Sequence, residues 1–365
     1  MIFKATSHFV VPGLTRDPGA MMTDTLQTIQ SKAAGLFTNS KPDRPNIHVR
    51  TPILFAVALS ISNRIPLYCH HMKIRKAIIP VAGMGTRFLP ATKAQPKEML
   101  ALVDKPIIQY IVEEAVAAGI EQIIFVTSSS KRSIEDHFDA NFELEYRLKE
   151  KGKLKELKTV QDISNLASFV FVRQKEPKGD GHAILQTKDI VGDEPCAVMF
   201  GEEIVDSPDK PCIGQLMEIY EKYDAPVIAV ERIPQEDLHR YGVIDGEKVS
   251  DRTHKMTDWV EKPAPGEAPT DLIFTGKSVI TPEVMQLLEN APAGKDGEIR
   301  LADAFKQLLE NKRPLYAYEF EGRRYDCGNK TQFLIASVDY GLKDKEANKD
   351  GRFADYIKKR AAELS

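Results

Sequence analysis

From residue 76 onward, short apolar runs alternate with stretches of helical period, and few folds accommodate that alternation. Residues 77–82 (AIIPVA) are apolar at every position, so a strand here has both faces buried. Residues 106–120 (PIIQYIVEEAVAAGI) carry Ile107, Ile111, Ala115 and Ala118 at three-to-four spacing. With Pro106 at the start and Gly119 near the end, that spacing predicts a helix. Residues 122–127 (QIIFVT) form a β-branched run, and runs of the same type recur at 169–172, 197–200 and 226–230. Helical stretches such as 213–223 separate them. The alternation predicts βαβ units, and the right-handed crossover rule makes the fold class α/β: a doubly wound, Rossmann-like mixed sheet, mainly parallel.

Two segments stand apart from this pattern. Residues 142–166 are rich in Glu, Lys and Leu, and Leu144, Leu148, Leu154 and Leu157 predict a helical hairpin broken at Gly152, its charges a solvated face. After Arg232 the texture changes to shorter strands and Pro/Gly turns (241–245, 257–263, 272–280), which predicts a smaller β subdomain. Helices are expected to resume at 282–288 and 301–309, a strand at 315–321, and a mostly helical, charged stretch from Thr331 to the end.

Residues 1–71 carry turn formers and breakers throughout and no sustained period. Their one apolar run, PILFAVALSI at 52–61, is shorter than the roughly 20 residues a membrane span needs. Met72 opens a stretch that reads as a domain start, so 1–71 is expected to be a disordered extension or a mis-assigned start, with a membrane-associating leader as the rival. The catalytic domain is expected over 72–343 and a helical tail over 344–365. Lys plus Arg total 50 against 53 Asp plus Glu, so no charge excess favours nucleic acid or an anionic membrane, and any phosphate must be held locally. The four cysteines fit neither a metal-knuckle spacing nor a disulfide framework, which points to a reducing cytoplasm.

The chemistry gathers after the first strand. Ala82-Gly-Met-Gly-Thr-Arg87 lets backbone N–H groups approach an anion closely. It is not a Walker A loop, because no G-K-[ST] follows, and it lacks the third glycine of the dinucleotide fingerprint. A G-x-G alone also describes any tight turn. Its continuation through Pro90 and Pro96-Lys-Glu-Met-Leu100 adds Arg87 and Lys97, two fixed cations expected near the carboxyl edge of the sheet. Cations there can stabilise charge developing on a leaving pyrophosphate.

Seven stretches in order, IIPVAGMGTRFLPATKAQPKEML, VDKPIIQYIVEEA, RQKEPKGDGHAI, RYGVI, DWVEKP, GEIRLADAF and RYDCGNK, lie within residues 72–343. Over them the chain resembles the bacterial UTP–glucose-1-phosphate uridylyltransferases, within the sugar-1-phosphate nucleotidylyltransferases. The resemblance implies the nucleotide-diphospho-sugar transferase type of fold, in which the β subdomain binds sugar. It implies that Ala82 and Gly83 touch the nucleotide through backbone, with Gly85, Thr86 and Arg87 along the phosphates. Glu98, Gln174 and Gly179 would surround the uracil, whose N–H and two carbonyls suit a carboxylate, an amide and backbone groups. Gly242 and Glu261 match sugar-binding positions. Lys262 would hold the sugar phosphate against the α-phosphate, Lys330 would lie near the sugar phosphate, and Asp271 would stand close to the sugar.

Asp326 matches a magnesium ligand, and Glu202 occupies the other ligand position, where the family usually has aspartate. Glutamate can bind magnesium through oxygen, but its extra methylene moves the carboxylate by roughly an ångström. The reaction implied is in-line attack of glucose-1-phosphate on the α-phosphorus of UTP, with no covalent nucleophile and no general base. Arg87, Lys97, Lys262 and Mg2+ would screen two polyanions. Cys327 reads as a small buried residue and His182 as the start of a helix. A related transferase using another sugar phosphate or base, and a non-catalytic sugar-nucleotide-binding regulator, are the alternatives. The resemblance also suggests a homodimer or homotetramer.

Overall fold

The computed structural model describes residues 72–294 and 296–364. The expectation for 1–71 therefore lies outside the described residues.

The apolar run at 77–82 forms β1 (Lys76–Pro80), and its alternate residues serve two cores. Ala77 and Ile79 pack into one apolar cluster and Ile78 into the other, which is why no position in the run is polar. A short hairpin, β2 (Ala101–Leu102) and β3 (Lys105–Pro106), leads into α1 (Ile107–Ala117). That helix buries Ile107, Ile108, Ile111, Val112 and Ala115 on one stripe. β4 (Gln122–Thr127), α2 (Arg132–Phe138) and the hairpin α3 (Phe142–Glu150) and α4 (Leu154–Ser164) follow. The hairpin turns at Gly152, where φ is +66°, a conformation that disfavours a Cβ. Neither hairpin helix contains a buried residue, as its charge predicts.

β5 (Ser168–Arg173), α5 (Asp180–Leu185), α6 (Lys188–Val191) and β6 (Cys196–Met199) complete the parallel half. Then come β7 (Glu203–Asp206), α7 (Cys212–Tyr223), β8 (Val227–Arg232), β9 (Gly242–Lys248), β10 (Thr253–Glu261) and β11 (Leu272–Ile280). The chain ends with α8 (Pro282–Asn290), α9 (Leu301–Glu310), β12 (Tyr316–Glu319), β13 (Arg323–Asp326), α10 (Lys330–Lys343) and α11 (Arg352–Leu364). The tail helix meets α10 where a Cβ on Gly341 would come within 2.9 Å of the Phe353 ring.

The main sheet has nine strands in the order β5-β4-β1-β6-β11-β8-β12-β10-β9. β5, β4, β1 and β6 are parallel; β11 and β10 run antiparallel to their neighbours. The sheet is thus mixed and doubly wound, with one core under α1 and α7 and the other under α8 and α9. β11 joins the parallel half to the smaller β region: it pairs β6 at residues 277–280 and both β8 and β9 around Ile273. Between these stretches the register shifts and Gly276 takes a φ of +73°. A Cβ there would lie 3.0 Å from side-chain carbons of both Glu203 and Phe200. The bend carries the strand from one half to the other.

One pairing was invisible in the sequence. β7 and β13 form a separate antiparallel ribbon with Glu203 opposite Asp326. EIVD and RRYD are too short and too charged to show a period.

Candidate nucleotide and sugar-phosphate site

A cleft of about 460 Å³ opens between the chain segments that follow β1, β5, β6 and β10. Ala82 and Gly83 reach it from β1, Lys97 and Glu98 from the loop beyond, Gln174 and Gly179 from β5, Glu202 from β6, and Glu261 with Lys262 from β10. Nine of the sequence-predicted residues are therefore brought to one cavity, from positions 82 to 262. An adjoining pocket of about 150 Å³ contains Gly242 and shares Asp180, Phe200, Glu261 and Arg300 with the cleft.

Why these residues meet there is local physics. The Gly-rich turn lies against the Lys97 stem, because a Cβ on Gly85 would be 3.1 Å from Lys97 Cβ, and Gly85 has a φ of +65°. Gly201 makes room for Glu98: its Cβ would sit 3.2 Å from Glu98 Cγ and 2.8 Å from Val81. Gly179 has a φ of +96°, and a Cβ there would be 2.4 Å from the Ile299 carbonyl oxygen. That close approach lets the Ile299 amide donate to Lys178 O at 2.8 Å, so the segment after β5 is tied to the start of α9. Gly242 is required by Trp259, whose Cζ2 would be 2.5 Å from an added Cβ. The indole of Trp259 in turn donates to Glu261 Oε2 at 3.3 Å.

Electrostatics within the cleft run in an alternating series. Lys131 Nζ donates to Glu98 Oε2 at 2.8 Å; Glu98 Oε1 is 4.0 Å from Lys97 Nζ; Lys97 Nζ donates to Glu202 Oε1 at 2.6 Å. Burial opposes the Lys97 charge, yet Glu202 and Glu98 more than offset it, and the Lys97 pKa lies above its usual value. Burial likewise opposes the Glu202 charge, and Lys97 overcomes it to hold that carboxyl below its usual value. Burial pushes the Glu98 carboxyl up, with Lys97 and Lys131 pulling against it.

Gln174 is fixed by two hydrogen bonds from its amide nitrogen, to Gly179 O at 3.0 Å and to His182 Nδ1 at 2.9 Å. Its side-chain oxygen is left as an acceptor for a ligand N–H. Asp180 Oδ1 accepts from Gly181 N at 2.6 Å and from Leu301 N at 3.0 Å, capping α9. Burial nonetheless raises the Asp180 carboxyl to about 6. Lys262 has a φ of +46°, left-handed backbone that costs a side-chain-bearing residue about 1–2 kcal/mol. Strain of this kind persists where surrounding structure imposes it, and it points the exposed Lys262 ammonium 3.6 Å from Glu261 Oε1 at the cleft.

Asp326 is buried beside the cleft and does not line it. Its Oδ1 accepts from Gly328 N at 2.9 Å and its Oδ2 from the Tyr241 hydroxyl at 3.2 Å. The β7–β13 ribbon sets it next to Glu202, whose carbonyl accepts from Cys327 N at 3.0 Å. Gly328 leaves a space between the two carboxylates: a Cβ there would be 3.0 Å from Asp326 Oδ1 and 3.7 Å from Glu202 Oε1. Two oxygen donors around one small gap suit a hard cation that takes its other ligands from water and phosphate. Among the described residues, no group of three or more His, Cys, Asp or Glu could hold a metal.

Other expected residues lie outside the cleft lining. Arg87 is exposed and makes no ion pair among the described residues, yet its charge acts on both Lys97 and Glu202. Gly85, Thr86 and Arg87 do not line the cleft; the turn passes against the Lys97 stem into a short helix at Thr86–Phe88. Asp271 pairs with Arg232 and lines neither pocket, and Lys330 is an exposed first residue of α10. Sequence reasoning missed Lys131, Asp180 and Arg300. Asp180 and Arg300 sit inside the stretches that carried the resemblance, whereas Lys131 follows three serines and reads as a solvated loop charge.

A family model described as nucleotidyl transferase matches residues 76–342. The chain is 52% identical to the UTP–glucose-1-phosphate uridylyltransferase of Bacillus subtilis (strain 168) over 274 residues, 75% of this chain and 93% of that one. A UDP-glucose pyrophosphorylase complexed with UDP-glucose superposes with a TM-score of 0.68 at 40% identity, covering 74% of this chain and all (100%) of that one. A UTP-bound UGPase from Acinetobacter baumannii gives a TM-score of 0.72 at 40% identity, covering 80% of this chain and 100% of that one.

Proposed function

The chain belongs to the nucleotidyl transferase family, in its UTP–glucose-1-phosphate uridylyltransferase branch, and from this we propose that it joins UTP to glucose-1-phosphate and releases pyrophosphate. The observation that carries the reading is a single cleft shared by the turn after β1, the Gln174–Gly179 segment and the Glu261–Lys262 pair. Nucleotide, phosphates and sugar then lie in one line.

In the mechanism, the Gln174 oxygen and Glu98 read the base, and the backbone at Ala82 and Gly83 lets the nucleotide approach. Gly242 leaves room for glucose beside Trp259, and Glu261 accepts from its hydroxyls. Lys262 draws the sugar phosphate toward the α-phosphate, and Lys97 faces the departing pyrophosphate, with exposed Arg87 free to swing onto it. The attacking phosphate oxygen is already anionic, so no residue removes a proton; alignment and charge screening are the protein's contribution. Glu202 and Asp326 are the residues that would hold a divalent cation, magnesium by their all-oxygen character. When bound, it would supply further neutralisation of phosphate charge. A cation held there would compete with Lys97 for Glu202 and so leave that ammonium to the phosphates.

Residues 72–343 form the catalytic domain in this reading, with 344–365 as a tail. The exposed Tyr356 and Leu364 on α11 support a homodimer or homotetramer built through that tail. Free, buried Cys196, Cys212 and Cys327 support a reducing cytoplasm. No helix among the described residues is long and apolar enough to cross a membrane.

Purified protein, magnesium and a panel of nucleoside triphosphates and sugar phosphates test the proposal through pyrophosphate release. Activity confined to UTP with glucose-1-phosphate is expected. Release with a different pair would reassign the substrate, and binding without release would make the chain a regulator.

A further inference from the structure

Lys131 is almost fully buried, 2% exposed, on the loop between β4 and α2. It does not line the cleft, yet its ammonium donates to Glu98 Oε2 at 2.8 Å, and Glu98, 1% exposed, does line it. A lysine is rarely buried this far unless a partner holds it. The loop fixes its backbone as well: Lys131 N donates to Ser128 O, and Lys131 O accepts from Ile134 N. On its other side the Glu98 stem rests against Gly201, so the carboxylate is held from two directions.

The geometry points to Lys131 as a positioning residue for nucleotide selection, which anchors one oxygen of Glu98 so that the other stays aimed between the base site and Lys97. This rests on the proposed reading of the cleft as a uridine nucleotide site. Two fixed acceptors, Gln174 and Glu98, favour a base edge that presents an N–H, as uracil does, and penalise cytosine, whose ring nitrogen there is a bare acceptor. Rejection of that kind depends on the acceptor being unable to turn away. Without Lys131, Glu98 has one cation left, Lys97, and swings toward it. The base site then loses a fixed acceptor, and Lys97 is shared between two carboxylates.

Steady-state kinetics with UTP and CTP, at saturating glucose-1-phosphate and magnesium, test this in Lys131→Met, Glu98→Gln and the double variant. In Lys131→Met the KM for UTP is expected to rise about tenfold and the preference for UTP over CTP in kcat/KM to fall about tenfold, with the KM for glucose-1-phosphate within about twofold. In the Glu98→Gln background, adding Lys131→Met should change neither quantity by more than about twofold, since the residue acts through Glu98. An unchanged UTP preference in Lys131→Met overturns the proposal, as does a further tenfold loss on adding it to Glu98→Gln. That second comparison stands even where Lys131→Met alone does not fold. If the wild-type protein releases no pyrophosphate, the proposed function fails instead. Lys131 is then judged by the same ratios in UTP and CTP dissociation constants from calorimetry.

Discussion

Lys97 and Glu202 hold each other at 2.6 Å within the cleft, so the cation assigned to the phosphates and the carboxylate assigned to the metal are one ion pair before substrate arrives. A divalent cation would compete with Lys97 for Glu202, and phosphates would compete with Glu202 for Lys97. Glu202 is then sensitive to length: aspartate, one methylene shorter, would approach both partners less closely from the same backbone. Glu202→Ala is expected to raise the magnesium concentration for half-maximal turnover by about tenfold or more, with Glu202→Asp between it and wild type. Magnesium titrations of initial rate check this, and unchanged magnesium dependence in Glu202→Ala would remove Glu202 from the metal site.

Gly242 separates sugar binding from nucleotide binding. An added Cβ meets Trp259 at 2.5 Å and Glu261 Oε2 at 3.0 Å, so the indole and the carboxylate it steadies must both move. Overpacking of this kind costs about 1–3 kcal/mol, or about 5- to 150-fold in affinity if all of it falls on one ligand. Gly242→Ala is expected to raise the KM for glucose-1-phosphate by that order and leave the KM for UTP within about twofold. Equal rises in both would show that Gly242 serves general stability instead.

The parallel half of the sheet was legible because its strands are buried on both faces. AIIPVA and the central IIFV of QIIFVT have no polar position to confuse with a helix face. Eight of the nine expected residues in the cleft were legible through stretches that carry the family resemblance, and Glu202 only through the family's ligand position after β6. What stayed hidden was tertiary pairing. The partnership of Glu203 with Asp326 joins residues more than a hundred positions apart through strands of four residues each. Lys131 was hidden for a related reason: nothing in SSSKR distinguishes a buried ammonium from a solvated one until Glu98, 33 positions earlier, is seen beside it.

Asp180 gives the folded protein a pH signature. Its carboxyl titrates at about 6 when folded, against 3.8 when unperturbed, because burial outweighs the two amide donors. Between these values the folded state keeps a proton that the unfolded state has released. This contribution therefore favours folding below pH 3.8, declines as pH rises, and is fully lost above about 6. The slope approaches 1.4 kcal/mol per pH unit in mid-range. Asp180→Asn keeps an oxygen for the Gly181 and Leu301 amides without the charge. Its stability relative to wild type should thus increase as pH rises from 4 to about 6 and then level off. Urea unfolding at a series of pH values reads the difference, and a constant offset across the range would show that Asp180 does not titrate there.

Lys277 and Glu114 form a second buried ion pair, at 2.9 Å, which no catalytic role explains. Lys277 is fully buried on β11, and Glu114 reaches it from α1 while its other oxygen accepts from Ile213 N at the start of α7. One carboxylate thereby ties two helices to the strand that bridges the two parts of the sheet. Lys277→Met strands the Glu114 charge in the core and should lower the unfolding free energy by about 3–5 kcal/mol. Adding Glu114→Gln removes that charge and preserves an oxygen for the Ile213 amide, so the double variant should regain most of the loss. Neither residue lines the cleft, and the KM values for both substrates should stay within about twofold of wild type wherever the variants are folded. Denaturant unfolding and initial rates on the same samples decide the matter. A double variant no more stable than Lys277→Met would mean that the lysine stem, packed between α1 and β11, matters more than its charge.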